Sequence, residues 1–155
     1  MTHIEGQTQF RRSPAALFDF LADPRHEPQY NPLVVYAEKL TPGPIGPGTR
    51  FRQRIRRFGR TDEIVIDLVD AERPDRLTWR IDSAGLRVHG RQTVTATGDG
   101  SSVHWEWDFH LRGVLRLLGP LVGLAGRRLE RRVWSDMQRH LDRLELSTGT
   151  SAPRG

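Results

Sequence analysis

Cysteine is absent from the 155 residues, which excludes disulfide scaffolds, cysteine-based zinc sites and thiol nucleophiles. The first residues, Met-Thr-His-Ile-Glu-Gly, lack the basic and apolar regions of a secretory signal. The longest apolar stretch, residues 114–125, contains Arg116 and is too short to span a bilayer. We therefore expect a cytoplasmic protein without stable membrane insertion, with one domain over residues 1–146 and a disordered tail over residues 147–155.

Lysine is nearly absent too, since Lys39 is the only one, and arginine carries the formal net charge of +5. A basic chain can bind nucleic acid. Four arginines alternate along one predicted strand and four surround Glu130 on a predicted helix: Arg50, Arg52, Arg54, Arg56, Arg127, Arg128, Arg131 and Arg132. We expect both groups to be solvated faces paired with neighbouring acids, and therefore predict no nucleic-acid partner.

A two-residue turn at Gly59-Arg60 sets the predicted pairing of one hairpin. It places Arg56 opposite Glu63, so that opposite charges face each other outside. The same register puts Arg57 opposite Asp62 on the inward-facing side at the strand end. That pair is either an ion pair at the rim or a polar contact for a ligand.

Hydrophobic periodicity predicts an α+β fold. Alternation predicts a strand over residues 3–11, and Ser13-Pro14 begins a short helix that ends before Pro24. Six further alternating segments predict strands over residues 33–40, 49–58, 61–71, 76–82, 86–97 and 101–112. Helical spacing follows over residues 120–146. One helix must then cover the apolar face of seven antiparallel strands, so we expect the sheet to curve and leave a cavity.

Short motifs carry a family resemblance. They are Ser13-Pro14, Asp23-Pro24, Tyr30-Asn31-Pro32, Gly48-Thr49 and Arg73-Pro74-Asp75-Arg76-Leu77. In this order and spacing, over about residues 3–145, the chain resembles the START-like (SRPBCC) helix-grip superfamily. That superfamily includes polyketide cyclases and dehydrases, lipid-transport domains and Bet v 1-like allergens. The resemblance implies two short helices after the first strand and a hydrophobic cavity between the long helix and the concave sheet. It does not imply one chemistry.

Strand parity supplies candidate ligand contacts within such a cavity. Trp79, Trp105 and Trp107 face inward as flat walls for a ring-bearing or acyl ligand. Gln53 and Gln92 lie on otherwise apolar faces and could orient a carbonyl or hydroxyl group. The alternative is that the rings fill the core and the amides bond each other or the backbone.

Four further candidates lie outside the strands. Tyr30 would cap one end of the sheet, and Leu121, Ala125 and Leu129 share the apolar face of the long helix. Glycines interrupt the start of that helix, which suggests either a gate at the cavity mouth or close packing on the sheet.

The sequence points to no catalytic residue, metal or cofactor. The predicted inward strand positions hold no His, Asp or Glu deep inside, and His104, Glu106, Asp108 and His110 have the outward parity. We therefore expect a monomer or weak homodimer that binds a hydrophobic lipid, polyketide or aromatic metabolite. The alternative is a polyketide cyclase- or dehydratase-like enzyme, which an inward ionisable group with a perturbed pKa would favour. A subunit with a filled core is a third possibility.

Overall fold

A computed structural model describes the backbone of residues 1–149 and the side chains of residues 1–144. The described residues form seven strands: β1 Thr2–Phe10, β2 Val34–Lys39, β3 Arg50–Arg57, β4 Arg60–Glu72, β5 Arg76–Ser83, β6 Leu86–Thr97 and β7 Gly100–Leu111. The helices are α1 Pro14–Leu21 and α2 Gly119–Gly149, with 3-10 helices η1 Pro24–Gln29 and η2 Gly113–Leu118. The predicted helix-grip α+β class is confirmed. Helix α2 continues past the boundary predicted at residue 146, and residues 150–155 of the predicted disordered tail lie outside the described residues.

The strands form one antiparallel sheet in the order β1-β7-β6-β5-β4-β3-β2. The sheet curves around α2, which contributes Trp134, Met137 and Leu141 to the core. Phe51 and Leu68 meet them from the sheet side and are fully buried. Within the described part of the chain, no helix is long and apolar enough to cross a membrane.

The connector between α1 and β2 is fixed by local hydrogen bonds. The side chain of Ser13 caps α1 by accepting from the Ala16 N–H at 3.2 Å, and Pro14 follows as the first helical residue. The carboxylate of Asp23 accepts from the Arg25 N–H at 3.1 Å and caps η1. After η1, Asn31 Oδ1 accepts from the Leu33 N–H at 3.1 Å. These bonds fix the path of the connector, and a hydrogen bond from Gln53 on β3 to the carbonyl oxygen of Pro24 ties η1 to the sheet.

The β3–β4 turn is Phe58-Gly59, and the predicted turn at Gly59-Arg60 was wrong by one residue. Phe58 and Gly59 have φ of 51° and 74°, as a tight hairpin turn with two left-handed residues requires. The register therefore shifts by two: Arg57 faces Arg60, and the predicted ion pair with Asp62 does not form. A shift of two preserves which face each side chain occupies.

The strand arginines pair with acids on neighbouring strands, although not with the predicted partners. Arg50 on β3 and Arg80 on β5 reach the buried carboxylate of Asp67 at 2.7 and 2.9 Å. Arg52 reaches Glu38 on β2 at 2.9 Å. The basic row along β3 is thus partly neutralised by its neighbours.

Candidate functional site

A cavity of about 220 Å³ lies between the concave face of the sheet and α2. Its aliphatic wall consists of Leu21, Leu33, Val34, Ile55, Ile64, Ile66, Ile81, Leu86, Val88, Leu129, Val133 and Met137. Five aromatic residues complete the apolar lining: Tyr30, Trp79, Trp107, Phe109 and Trp134. Small-molecule sites have this character, and most range from about 300 to 1,000 Å³, so this cavity suits a small ligand.

The cavity wall contains most of the residues singled out from the sequence. Seven of the ten candidates line it: Tyr30, Gln53, Arg57, Trp79, Gln92, Trp107 and Leu129. Trp105, Leu121 and Ala125 do not. Trp105 instead lies under α2 in the core, where its ring stacks on that of Trp134.

Leu121 and Ala125 point away because the other side of α2 packs on β1. Leu121 is 65% exposed, and Ala125 is exposed as well. A Cβ added at Gly123 would lie 2.9 Å from Thr2 Cγ2, so the glycines permit a close approach. This arrangement supports close helix–sheet packing rather than a gate at this end of α2.

A glycine on β6 makes room for one cavity tryptophan. Gly90 pairs with Trp79 on β5 and with Trp107 on β7. A Cβ at this position would lie 1.9 Å from Trp107 Cζ3, inside the indole ring's own space. The Trp107 ring therefore lies across the sheet at Gly90. A glycine at an inward strand position is the sequence signal for such a close approach.

Both predicted amides have partners inside the protein. Gln92 Oε1 accepts a hydrogen bond from Trp79 Nε1 at 3.0 Å. Gln53 Nε2 donates to the carbonyl oxygen of Pro24 at 3.4 Å. The two side chains thus orient an aromatic ring and the start of η1, while they also line the cavity.

Two glutamates that the sequence analysis did not place in the site also line the cavity, Glu27 from η1 and Glu130 from α2. Burial raises the pKa of each to about 7. The proximity of Glu130 raises the pKa of Glu27 further, while hydrogen bonds from Gln53 and Asn31 lower it. Two carboxyl groups near neutral pKa therefore share one apolar cavity.

Glu130 is held by an indole on its own helix. Trp134 Nε1 donates to Glu130 Oε2 at 2.9 Å, which favours the ionised carboxylate and opposes the effect of burial. The interpretation of Glu130 as part of a solvated basic face was wrong. Glu130, Trp134 and Met137 recur at helical spacing, so the glutamate shares the face that α2 turns toward the sheet.

Tyr30 and Trp107 extend the polar part of the cavity wall. Burial raises the pKa of the Tyr30 phenol, and Glu27 and Glu130 raise it further. Trp107 Nε1 is buried and has no hydrogen-bond partner at ordinary distance and angle. Its N–H nevertheless lowers the pKa of Glu130, because a donor favours the ionised carboxylate. Arg57 is the one basic side chain among the described residues of this wall, and it is exposed.

Two side chains of the outward row on β7 contact polar side chains on β1. His104 lies 3.3 Å from Glu5, and Asp108 lies 2.7 Å from His3. No group of three or more potential metal ligands occurs among the described residues.

The strand order, the long helix and the cavity between helix and sheet define the helix-grip class of ligand-holding folds. The sequence profile of the family described as polyketide cyclase / dehydrase and lipid transport matches residues 1–147. The chain belongs to this family.

Solved structures share the fold at low sequence identity. A START superfamily protein from Mycobacterium smegmatis is 15% identical with a TM-score of 0.78, over 93% of this chain and 99% of that one. A protein from Thermus thermophilus is 14% identical with a TM-score of 0.76, over 97% and 99%. The di-domain ARO/CYC BexL from the BE-7585A biosynthetic pathway is 15% identical with a TM-score of 0.65, over 89% of this chain and 49% of that chain. No curated protein matches the sequence significantly.

Proposed function

We propose that the protein binds a hydrophobic small molecule, a lipid, polyketide or aromatic metabolite, in the cavity between the sheet and α2. The observation that carries this proposal is the cavity of about 220 Å³, whose wall is largely aliphatic and aromatic. Membership of a family that includes lipid transport and polyketide cyclisation supports it.

Native mass spectrometry of the protein purified from its own host tests this proposal directly, since a bound ligand adds its mass to the folded protein. A second test uses the neutral fluorescent probe N-phenyl-1-naphthylamine. Ile81→Trp fills the cavity and should abolish probe binding, whereas Val69→Trp, at a site 47% exposed, should not. Probe binding by both variants at the affinity of the unsubstituted protein would contradict the proposal.

A polyketide cyclase- or dehydratase-like enzyme is the second candidate, favoured by Glu27 and Glu130. General acid–base catalysis works best with groups whose pKa lies near the working pH, and both carboxyls have a pKa of about 7. The ionised Glu130 would take a proton from a carbon between two carbonyls of the substrate. The protonated Glu27 would donate to the oxygen that gains charge.

Turnover of a linear poly-β-ketone thioester tests the enzyme. Glu130→Gln should stop product formation while N-phenyl-1-naphthylamine still binds. Glu63→Gln, on the exposed outer face of β4, is the matched control. Product formation at an unchanged rate in Glu130→Gln would exclude this role.

We also propose that the protein acts in the cytoplasm as a monomer or weak homodimer without nucleic acid. The pairing of strand arginines with Asp67 and Glu38 supports a solvated basic face. DNA binding that persists at about 0.5 M salt would contradict the nucleic-acid part, since electrostatic binding weakens steeply with salt. Sedimentation at several concentrations tests the oligomeric state.

A further inference from the structure

The inside of the cavity has acidic groups without a basic partner. Glu27 and Glu130 enter it from different elements, η1 and α2. Among the described residues of the wall the only basic group is Arg57, which lies at the exposed end of β3. A buried carboxylate is costly unless a cation or several donors compensate it. The described wall therefore lacks a positive charge near the two carboxyls.

The rest of the wall also suits a cation. Tyr30, Trp79, Trp107 and Trp134 line the same cavity. The faces of such rings attract ammonium groups, more strongly when the cation is removed from water. Trp107 Nε1 adds a buried polar group without a partner of ordinary geometry, which a polar atom of a ligand could meet.

We propose that the cavity selects hydrophobic ligands that carry a protonated amine, with the nitrogen between Glu27 and Glu130 and the apolar part against Trp79 and Trp107. This inference rests on the proposed ligand-binding function and names the chemistry of its ligand. The amine supplies the charge that the wall lacks, and the aromatic rings contact the rest of the molecule.

Binding of such an amine is linked to the proton affinity of the carboxyl pair. An ammonium ion stabilises the ionised glutamates, whose pKa values of about 7 leave them partly protonated near neutral pH. The other titratable groups in the described wall are Tyr30 on the connector and Arg57 on β3. Because the pKa of the Tyr30 phenol is raised well above its usual value, Tyr30 does not titrate in this range, and the affinity for an amine should rise from about pH 5 to about pH 8.

Isothermal titration with three matched probes tests the selectivity: 1-naphthylmethylamine, 1-naphthalenemethanol and 1-naphthoate. At about pH 8 the amine should bind at least about tenfold more tightly than the alcohol, and the anionic naphthoate should bind weakest. The preference for the amine should shrink toward about pH 5, where the glutamates are protonated.

Substitution of both glutamates tests whether their carboxyl groups cause the preference for the amine over the alcohol. In the double variant Glu27→Gln and Glu130→Gln, the amine and the alcohol should bind within about threefold of each other. Glu63→Gln is the matched control and should keep the preference. Binding of N-phenyl-1-naphthylamine shows that each variant retains a folded cavity.

The outcomes separate this inference from the function on which it rests. Equal or tighter binding of the alcohol by the unsubstituted protein, or a preference that survives the double variant, would overturn the amine assignment and leave the hydrophobic site standing. Failure of all the naphthalene probes and of N-phenyl-1-naphthylamine to bind would overturn both.

Discussion

The indole rings of Trp105 on β7 and Trp134 on α2 stack in parallel, with centroids 5.8 Å apart and planes inclined by 4°. The stacked Trp134 also donates its N–H to Glu130, one turn earlier on α2. One side chain therefore joins the helix to the sheet and orients a carboxylate in the cavity. Trp105 Nε1, by contrast, is buried without a hydrogen-bond partner.

Trp134→Phe should raise the pKa of Glu130 above about 7, because it removes the donor that favours the ionised carboxylate. Carboxyl-carbon NMR titration of Glu130 measures the change. Trp105→Phe is the matched control, since it shrinks a ring of the same stack without removing a hydrogen bond from Glu130. An equal rise in both variants would show that ring packing, not the N–H, sets the pKa.

The free energy of unfolding should fall as the pH rises from about 4.5 to about 7. Glu27 and Glu130 have a pKa of about 7 in the folded protein against 4.5 for an ordinary glutamate, so the folded state holds the protons more tightly. Their contribution to stability is complete below pH 4.5 and is lost as the pH passes through about 7. Urea unfolding across this range should show a loss on the order of 2 kcal/mol per carboxyl.

Glu130→Gln should reduce that slope, because glutamine does not titrate. Glu63→Gln, on the outer face, should leave it unchanged. A slope that is the same in both variants would mean that the cavity carboxyl does not titrate with folding.

Gly90→Ala should displace the Trp107 ring and weaken binding of N-phenyl-1-naphthylamine, because the new Cβ would lie 1.9 Å from Trp107 Cζ3. The overpacking should lower the free energy of unfolding by about 1–3 kcal/mol. Gly98→Ala is the control, since a Cβ at that turn meets nothing within 4 Å. Probe affinity and tryptophan fluorescence that stay unchanged in Gly90→Ala would contradict this prediction, because they would show that the cavity tolerates the added methyl group.

Asp67→Asn should destabilise the sheet at neutral pH by about 1–3 kcal/mol, because Arg50 and Arg80 both bind this buried carboxylate. The hydrogen bond from Arg50, followed by that from Arg80, lowers the pKa of Asp67 below its usual 3.8 despite burial. Its stabilising contribution is present above pH 3.8 and is lost as the pH falls through the lowered value. Acid unfolding monitored by circular dichroism checks this.

Asp70→Asn is the control for Asp67→Asn. Asp70 lies on the same strand with its side chain about half exposed, 3.7 Å from Arg76. Its loss should change the free energy of unfolding by less than about 0.5 kcal/mol. Equal losses in the free energy of unfolding for the two substitutions would mean that binding both Arg50 and Arg80 gives Asp67 no additional stabilising effect.

Strand alternation predicted the fold and the sheet side of the cavity, because a period of two fixes which face each side chain occupies. The turn lies at Phe58-Gly59, one residue before its predicted position. Because the register moved by two residues, each side chain stayed on its predicted face of the sheet. The acidic groups were missed because they lie outside the sheet. Glu27 follows no periodic pattern, and only the recurrence of Glu130 with Trp134 and Met137 could have shown that it faces inward.

The two carboxyls belong to elements that the sheet does not contain, since Glu27 lies on η1 and Glu130 on α2. Burial raises the pKa of both, and the charge of Glu130 raises that of Glu27 further, so a movement of α2 relative to the connector changes how tightly Glu27 holds its proton. The titration midpoint of Glu27 therefore reports how closely α2 approaches the connector. It can be followed by carboxyl-carbon NMR without any added ligand.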